Sequence, residues 1–134
     1  MVCVSPDARI SLGCAGLWND AQREGWKRIV DFIHSNSDAK VAIQLGHSGA
    51  KGSTRLAWDG IDQPLTDPAQ CWPLLSASPQ QYLDGVSQWS RAMSRADMDR
   101  VRDEFVAATR RAAEAGFDWL ELHCAHGYLL SSFI

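Results

Sequence analysis

Lys40-Val41-Ala42-Ile43-Gln44-Leu45-Gly46 is the stretch that decides the fold. It is short, apolar and partly β-branched, with no clean polar alternation, which is the pattern of a strand buried on both faces of a parallel sheet. The flanking periods agree with it. Upstream, Asn19 or Asp20 can cap a helix on which Trp26, Ile29, Val30 and Ile33 form one apolar stripe, ending near Asn36. Downstream, Ser94-Arg95-Ala96-Asp97 matches a capping box and opens a helix with Met98, Val101, Phe105, Ala108 and Ala112 on one face. Gly116 suits the left-handed terminator of that helix, and Phe117-Asp118-Trp119-Leu120-Glu121-Leu122 follows as a second strand. Helix, strand, loop, helix, strand is the order of a (β/α) architecture of class α/β, so the two strands are expected side by side and parallel, joined by a right-handed crossover.

Between the two strand-bearing halves, from His47 to Met93, the periodicity fails and Gly49, Gly52, Gly60, Pro64, Pro68, Pro73 and Pro79 punctuate the chain. A connection this long fits a compact domain only as a functional loop that covers a site. Trp58, Trp72 and Trp89 are the apolar anchors expected to hold it down, with a small hairpin inside it. Trp26 and Trp119 are expected in the core.

Composition limits what such a fold can do. The chain has 134 residues, 46% hydrophobic and 22% charged, with 13 Lys and Arg against 16 Asp and Glu for a net charge of −3. No basic block could track a phosphate backbone or an anionic membrane, which excludes nucleic acid as the expected partner. No apolar run approaches the ~20 residues that span a bilayer, and Met1 to Leu12 lacks the basic and apolar regions of a secretory leader, so a cytoplasmic protein is expected. Cys3, Cys14, Cys71 and Cys124 are scattered without a CxxC pair, which points to reduced thiols and to neither a zinc ribbon nor a disulfide framework.

Chemistry is expected where the strands end, because the C-terminal strand ends and the loops after them line the active site of a (β/α)8 barrel. Gln44 and His47 close the first strand; His123, His126 and Tyr128 close the second. Two histidines three apart can bind a metal, stabilise an oxyanion or cap a strand. A metal site needs further ligands, and Glu121 and Cys124 are the only local ones, the latter pointing away from the histidines if the strand continues, so no metal is assigned.

Two long motifs carry a resemblance. Ile43-Gln44-Leu45-Gly46-His47-Ser48-Gly49-Ala50-Lys51-Gly52, followed by Ala115-Gly116-Phe117-Asp118-Trp119-Leu120-Glu121-Leu122-His123-Cys124-Ala125-His126-Gly127-Tyr128-Leu129-Leu130-Ser131-Ser132-Phe133, resembles the Old Yellow Enzyme family of FMN-dependent oxidoreductases. Val4-Ser5-Pro6-Asp7-Ala8-Arg9-Ile10 is similar to the loop after that family's second barrel strand. The resemblance implies a partial (β/α)8 TIM barrel, roughly strands 3 and 4 with their flanking helices, residues 1–134 being the N-terminal part of an incomplete FMN-dependent domain. It implies FMN as cofactor, NAD(P)H as reductant and a small, electron-poor substrate such as an enone. His123 and His126 then hydrogen-bond the substrate oxygen, Tyr128 gives the proton that completes the reduction, and Gln44 bonds the pyrimidine edge of the flavin.

Gly46 to Thr54 and Trp72-Pro73-Leu74-Leu75-Ser76-Ala77-Ser78 are more similar to the reductase-like domain fused behind an FAD monooxygenase in bifunctional salicylyl-CoA 5-hydroxylases and anthraniloyl-CoA monooxygenases. That branch implies an aromatic acyl-CoA-derived substrate and a fused monooxygenase domain as partner. Many relatives carry Arg where this chain has Ala50, and no contact of that guanidinium carries over.

Plainer roles remain open for each residue. Tyr128 can pack under the next helix, Gln44 can cap its strand, His47 can support a loop without touching cofactor, and Lys51 can either sit near the flavin or substrate mouth or be a solvated loop lysine. A closed barrel takes about 250 residues, whereas two complete strands, two crossover helices and the start of a third helix at Leu129 to Ile134 are expected here. The remainder of the barrel, with its phosphate-binding loops, is therefore an expected partner. The alternative reading is a noncatalytic (β/α) remnant or binding module without cofactor.

Overall fold

The computed structural model describes residues Met1–Ile134. Three parallel strands form its central sheet in the order β1 (Val2–Cys3), β2 (Ala42–Gly46), β6 (Trp119–Leu122). β2 lies in the middle, pairing Val2 with Leu45 on one side and Gln44 with Glu121 on the other. Helices α1 (Asp20–Asn36) and α3 (Arg95–Glu114) pack on one face, over a core of Cys3, Val4, Leu17, Ile43, Leu45 and Ala108. The expected parallel neighbours are thus present, and the pairing of β1 with β2 adds a strand that a two-residue segment does not announce by its own periodicity.

The helix starts follow their caps. Asn19 Oδ1 accepts from Gln22 N at 2.9 Å, and Trp26, from the α1 stripe, donates its indole N–H to Gly16 O at 3.0 Å. Ser94 and Asp97 form the full capping box of α3: the hydroxyl accepts from Asp97 N, and the carboxylate accepts from Ser94 N at 2.8 Å while also holding Arg91. On α3, Val101, Ala108 and Ala112 are buried. On α1 only Val30 is buried, and Ile29 is half exposed at 49%.

Residues 47–93 are folded down as expected, although by fewer anchors. Trp72 is buried and stacks on the Arg9 guanidinium, 4.7 Å from the ring centre. Trp58 and Trp89 are 80% and 68% exposed, so they anchor nothing. Polar contacts replace them: Thr54 N and Oγ1 both donate to Ile10 O at 2.9 Å, and Leu65 N donates to Ser53 O at 2.9 Å. After a single turn, α2 (Ala57–Gly60), the segment contains a small sheet in which β5 (Trp89–Ala92) pairs parallel with β3 (Leu75–Ser76) and antiparallel with β4 (Gln80–Gln81). The Ser76 and Ser90 hydroxyls, 2.6 Å apart, join β3 to β5, and Ser90 Oγ also donates to Gln80 O of β4 at 2.9 Å.

Two further expectations need correction. Trp119 is 70% exposed, because it lies at the start of β6 on the face away from the helices. The C-terminal segment forms a 3-10 turn over Leu130–Phe133, where the Ser131 and Ser132 hydroxyls donate to the carbonyls of Tyr128 and Leu129 and compete with α-helical pairing. Beside this turn, an open apolar groove runs between α3 and β6, lined by Met98, Val101, Phe105, Leu122, Leu129 and Phe133.

Asp118 joins three elements at the opposite end of the sheet from the histidines. Its Oδ2 accepts from Val41 N at 2.9 Å and meets His34 Nε2 at 2.7 Å, while Oδ1 lies 3.2 Å from Lys40 Nζ. The backbone N–H of Val41, and then His34, lower its pKa to about 2. A carboxyl depressed in the folded state stabilises above its unfolded value of about 3.9, and that stabilisation disappears as pH falls through the folded value. Asp118→Asn should therefore unfold at lower urea than the parent at pH 7. The difference should shrink between about pH 4 and pH 2, and a gap that stays constant over this range would mean the charge is not what stabilises.

Candidate active site at the strand ends

In a parallel ladder side chains alternate between faces, so the register of β2 and β6 sorts their residues. Ile43 and Leu45 are buried among the core residues, Leu120 packs against them, and Leu122 lines the groove beside α3. Gln44, its partner Glu121 and then His123 take the other parity. Gln44 is half-buried and donates through Nε2 to Glu121 Oε1 at 2.6 Å. A Cβ placed on Gly46 would run into the Met1 side chain and stand 3.2 Å from His123 Cβ, so Gly46 lies beside the imidazole on this face, under the Met1 thioether. Gln44, His123 and His126 therefore sit at the same end of the strand pair.

The chain leaves β6 through a tight turn. Tyr128 N donates to Ala125 O at 3.2 Å, while His126 and Gly127 have φ of 60° and 71°. Two consecutive positive φ values give a primed turn, tolerated by Gly and, at a cost, by His. The turn folds the His126 ring back to 5.1 Å from that of His123, edge-on at 85°; the Tyr128 ring stands 4.9 Å from His123 at 87°. Three donor-bearing rings are thus gathered around one point, and His123 is the shared neighbour.

Their protonation follows from burial. His123 is 8% exposed, and burial, then the neighbouring His126, lowers its pKa, so the ring is neutral at pH 7. Its Nδ1 accepts from Ala125 N at 3.3 Å. The ring proton is thereby assigned to Nε2, which becomes a donor. Burial also raises the Tyr128 pKa, and the phenol keeps its proton. The arrangement can meet a developing oxyanion with N–H donors and hold a proton close by.

The loop after β2 is locked to the loop after β6. His123 N donates to Leu45 O at 2.9 Å and Leu129 N donates to His47 O at 3.0 Å. Gly49, with φ of 62°, sits where a Cβ would approach Leu129 N to 2.7 Å, so only glycine permits the contact. His47 faces the protein interior at 1% exposure, and its Nδ1 accepts from Gly49 N at 3.1 Å. Burial lowers its pKa to about 4 and leaves Nε2 without a partner. Lys51 lies on the same side as Tyr128, Nζ being 5.7 Å from that ring and 4.2 Å from the ring of Tyr82. No sequence signal points to Tyr82, whose neighbours Lys51 and Tyr128 are remote along the chain; the parity shared by Glu121 and His123 is the one signal available for Glu121. No group of three or more His, Cys, Asp or Glu side chains is placed to hold a metal ion.

Comparison with known proteins gives a consistent result. The model of the NADH:flavin oxidoreductase / NADH oxidase family matches residues 1–134. An NADH:flavin oxidoreductase of Gibberella zeae is 38% identical over 133 residues, which cover 98% of this chain and 32% of that protein. An NADPH dehydrogenase of Bacillus cytotoxicus is 36% identical over 131 residues, 98% of this chain and 33% of its own length. The chain thus spans about a third of the length of these relatives. Among solved structures, morphinone reductase in complex with tetrahydroNAD superimposes with a TM-score of 0.76 at 25% identity, covering 96% of this chain and 36% of that one.

The tautomer of His123 is open to direct observation. Long-range 1H–15N correlation spectra at pH 7 should show His123 neutral and protonated at Nε2. A proton on Nδ1 would remove the Ala125 contact and the donor it directs outward.

Proposed function

Because the chain belongs to the NADH:flavin oxidoreductase / NADH oxidase family, we propose that residues 1–134 are the N-terminal part of an FMN-dependent (β/α)8 domain and supply its substrate-facing donors. Oxidoreduction with FMN as cofactor and NAD(P)H as reductant is the chemistry of this family. The single observation that carries the reading is the cluster of His123, His126 and Tyr128 rings at the strand end that also bears Gln44.

The residues fit a flavin ring. Gln44 uses one amide N–H on Glu121, which leaves a second N–H and the amide oxygen for the mixed donor and acceptor edge of a pyrimidine. Gly46, further along the same parity, adds no side chain of its own to that face, and the Met1 side chain that lies over it would have to swing aside for the ring. The phosphate-binding loops are assigned to the remainder of the barrel.

When bound, FMN supplies a hydride. An enone that accepts it at the β-carbon develops negative charge on its carbonyl oxygen, and Nε2–H of His123 together with the His126 ring would meet that charge. Tyr128, its pKa raised by burial, holds the proton that the α-carbon then takes. The turn at His126 and Gly127 fixes the distance between these two roles. Within this reading, Gly46 to Thr54 and Trp72 to Ser78 favour an aromatic acyl-CoA-derived substrate and a fused FAD monooxygenase domain. A cytoplasmic site is proposed alongside it, and no helix is long and apolar enough to cross a membrane.

Tyr128→Phe in the full-length FMN-loaded protein tests the assignment. Stopped-flow measurement should show the enone-dependent half-reaction slowed by about 100-fold or more, the usual contribution of a placed general acid, with the nicotinamide-dependent half-reaction nearly unchanged. Equal losses in both would make Tyr128 structural; no loss in either would remove it from the mechanism. A parent protein that catalyses neither half-reaction would favour the noncatalytic module.

A further inference from the structure

Lys51 stands out among the cations near the strand ends. Lys27 and Lys40 are paired with Asp31 and Asp118, whereas the partly buried Lys51 forms no hydrogen bond or ion pair. It is held instead by aromatic faces: Nζ lies 4.2 Å from the Tyr82 ring centre and 5.7 Å from that of Tyr128. A Cβ on Gly127 would stand 3.3 Å from Nζ, which places the ammonium directly against the turn that carries His126. Three separate segments therefore build the position: the 3-10 turn Gly49–Lys51, Tyr82 just after β4, and the turn after β6.

A lysine in this setting keeps three N–H donors that no side-chain oxygen takes up. Tyrosine faces attract a cation through the ring quadrupole and give it nothing to donate to, so the ammonium is oriented and still free to bind an anion. Asp62 is the one carboxylate whose charge acts on Tyr128, raising its pKa. The other donors on this side of the site, His123 and Tyr128, are neutral.

We propose that Lys51, framed by Tyr82 and Gly127, is an anion subsite that takes an anionic oxygen group of the molecule bound against His123, His126 and Tyr128. This deepens the oxidoreductase reading and rests on it. The group has two possible sources, a carboxylate on the electron-poor substrate or a phosphate of the nicotinamide dinucleotide, since both molecules must reach the same flavin in turn.

The test compares Lys51→Met and Lys51→Arg with the parent in the full-length FMN-loaded protein, using 3-penten-2-one, its carboxylated counterpart 4-oxopent-2-enoate, NADH and NADPH as probes. Stopped-flow titration gives an apparent Kd for each. If the source is the substrate, Lys51→Met should reduce the preference for the carboxylated over the neutral enone by about tenfold, as expected for a charge-assisted hydrogen bond, and Lys51→Arg should restore most of it. If the source is the dinucleotide, Lys51→Met should instead weaken NADH or NADPH by a similar factor while the enone ratio holds. The proposal is overturned if neither the enone ratio nor either dinucleotide Kd changes, or if all four probes weaken equally, which is the signature of a structural residue. Failure of the parent itself to turn over any enone or nicotinamide would sink the underlying oxidoreductase reading instead.

Discussion

The register of β2 against β6 is the constraint on which the rest depends. Side chains on a parallel pair alternate with a period of two, so sliding β6 by one residue would send Glu121 and His123 into the helix layer and bring Leu120 and Leu122 out. Two kinds of interaction resist the slip. On the helix side, Ile43 and Leu45 are buried beneath α1 and α3, which fixes the parity of β2 by apolar burial. Beyond the ladder, Leu129 N on His47 O and the glycine-only approach of Gly49 to Leu129 fix the lengths of the two loops relative to each other. Apolar packing thus decides which face is functional, and backbone pairing decides how closely the two loops meet.

What could be read from the sequence divides along the same line. The capping box at Ser94 and the parallel order of the strands were legible because their information is local, contained in a few consecutive residues. The grouping of His123, His126 and Tyr128 was legible for the same reason, being set by one turn. The tryptophans misled: an indole at Trp58, Trp89 or Trp119 says that burial would be favourable, and says nothing about whether a partner surface lies opposite. The Gln44–Glu121 bond joins residues 77 apart, and only the register could reveal it. A place for Lys51 near the site mouth was readable from its position in the loop, but its aromatic neighbours Tyr82 and Tyr128 were not, since they arrive from two other segments.

Electrostatically, the strand ends hold His47 and His123 neutral in two different ways. His47 is sealed under the loop, where burial, opposed in part by Asp7 and aided by Arg100, makes a positive charge costly and its one hydrogen bond supports the backbone of Gly49. His123 reaches the surface at its edge and accepts from Ala125 N, so the same neutrality leaves an outward N–H available. Burial is a common cause with opposite consequences, because the orientation of the ring decides whether the remaining proton faces protein or ligand.

The local strain has a similar logic. His126 occupies the left-handed region at φ of 60°, a conformation that costs of order 1 kcal/mol or more for a non-glycine residue and persists only when its surroundings over-determine it. Here the surroundings are specific. Tyr128 N closes the turn on Ala125 O, Ser131 Oγ bonds the Tyr128 carbonyl, and Leu129 is buried immediately after. An extended chain through His126 would release the strain, and it would also carry the imidazole away from His123 and the phenol away from both. The turn is therefore the point at which folding energy is converted into the spacing of three donor groups, and its stability derives from Leu129 and the β2 loop beneath it more than from the histidines themselves.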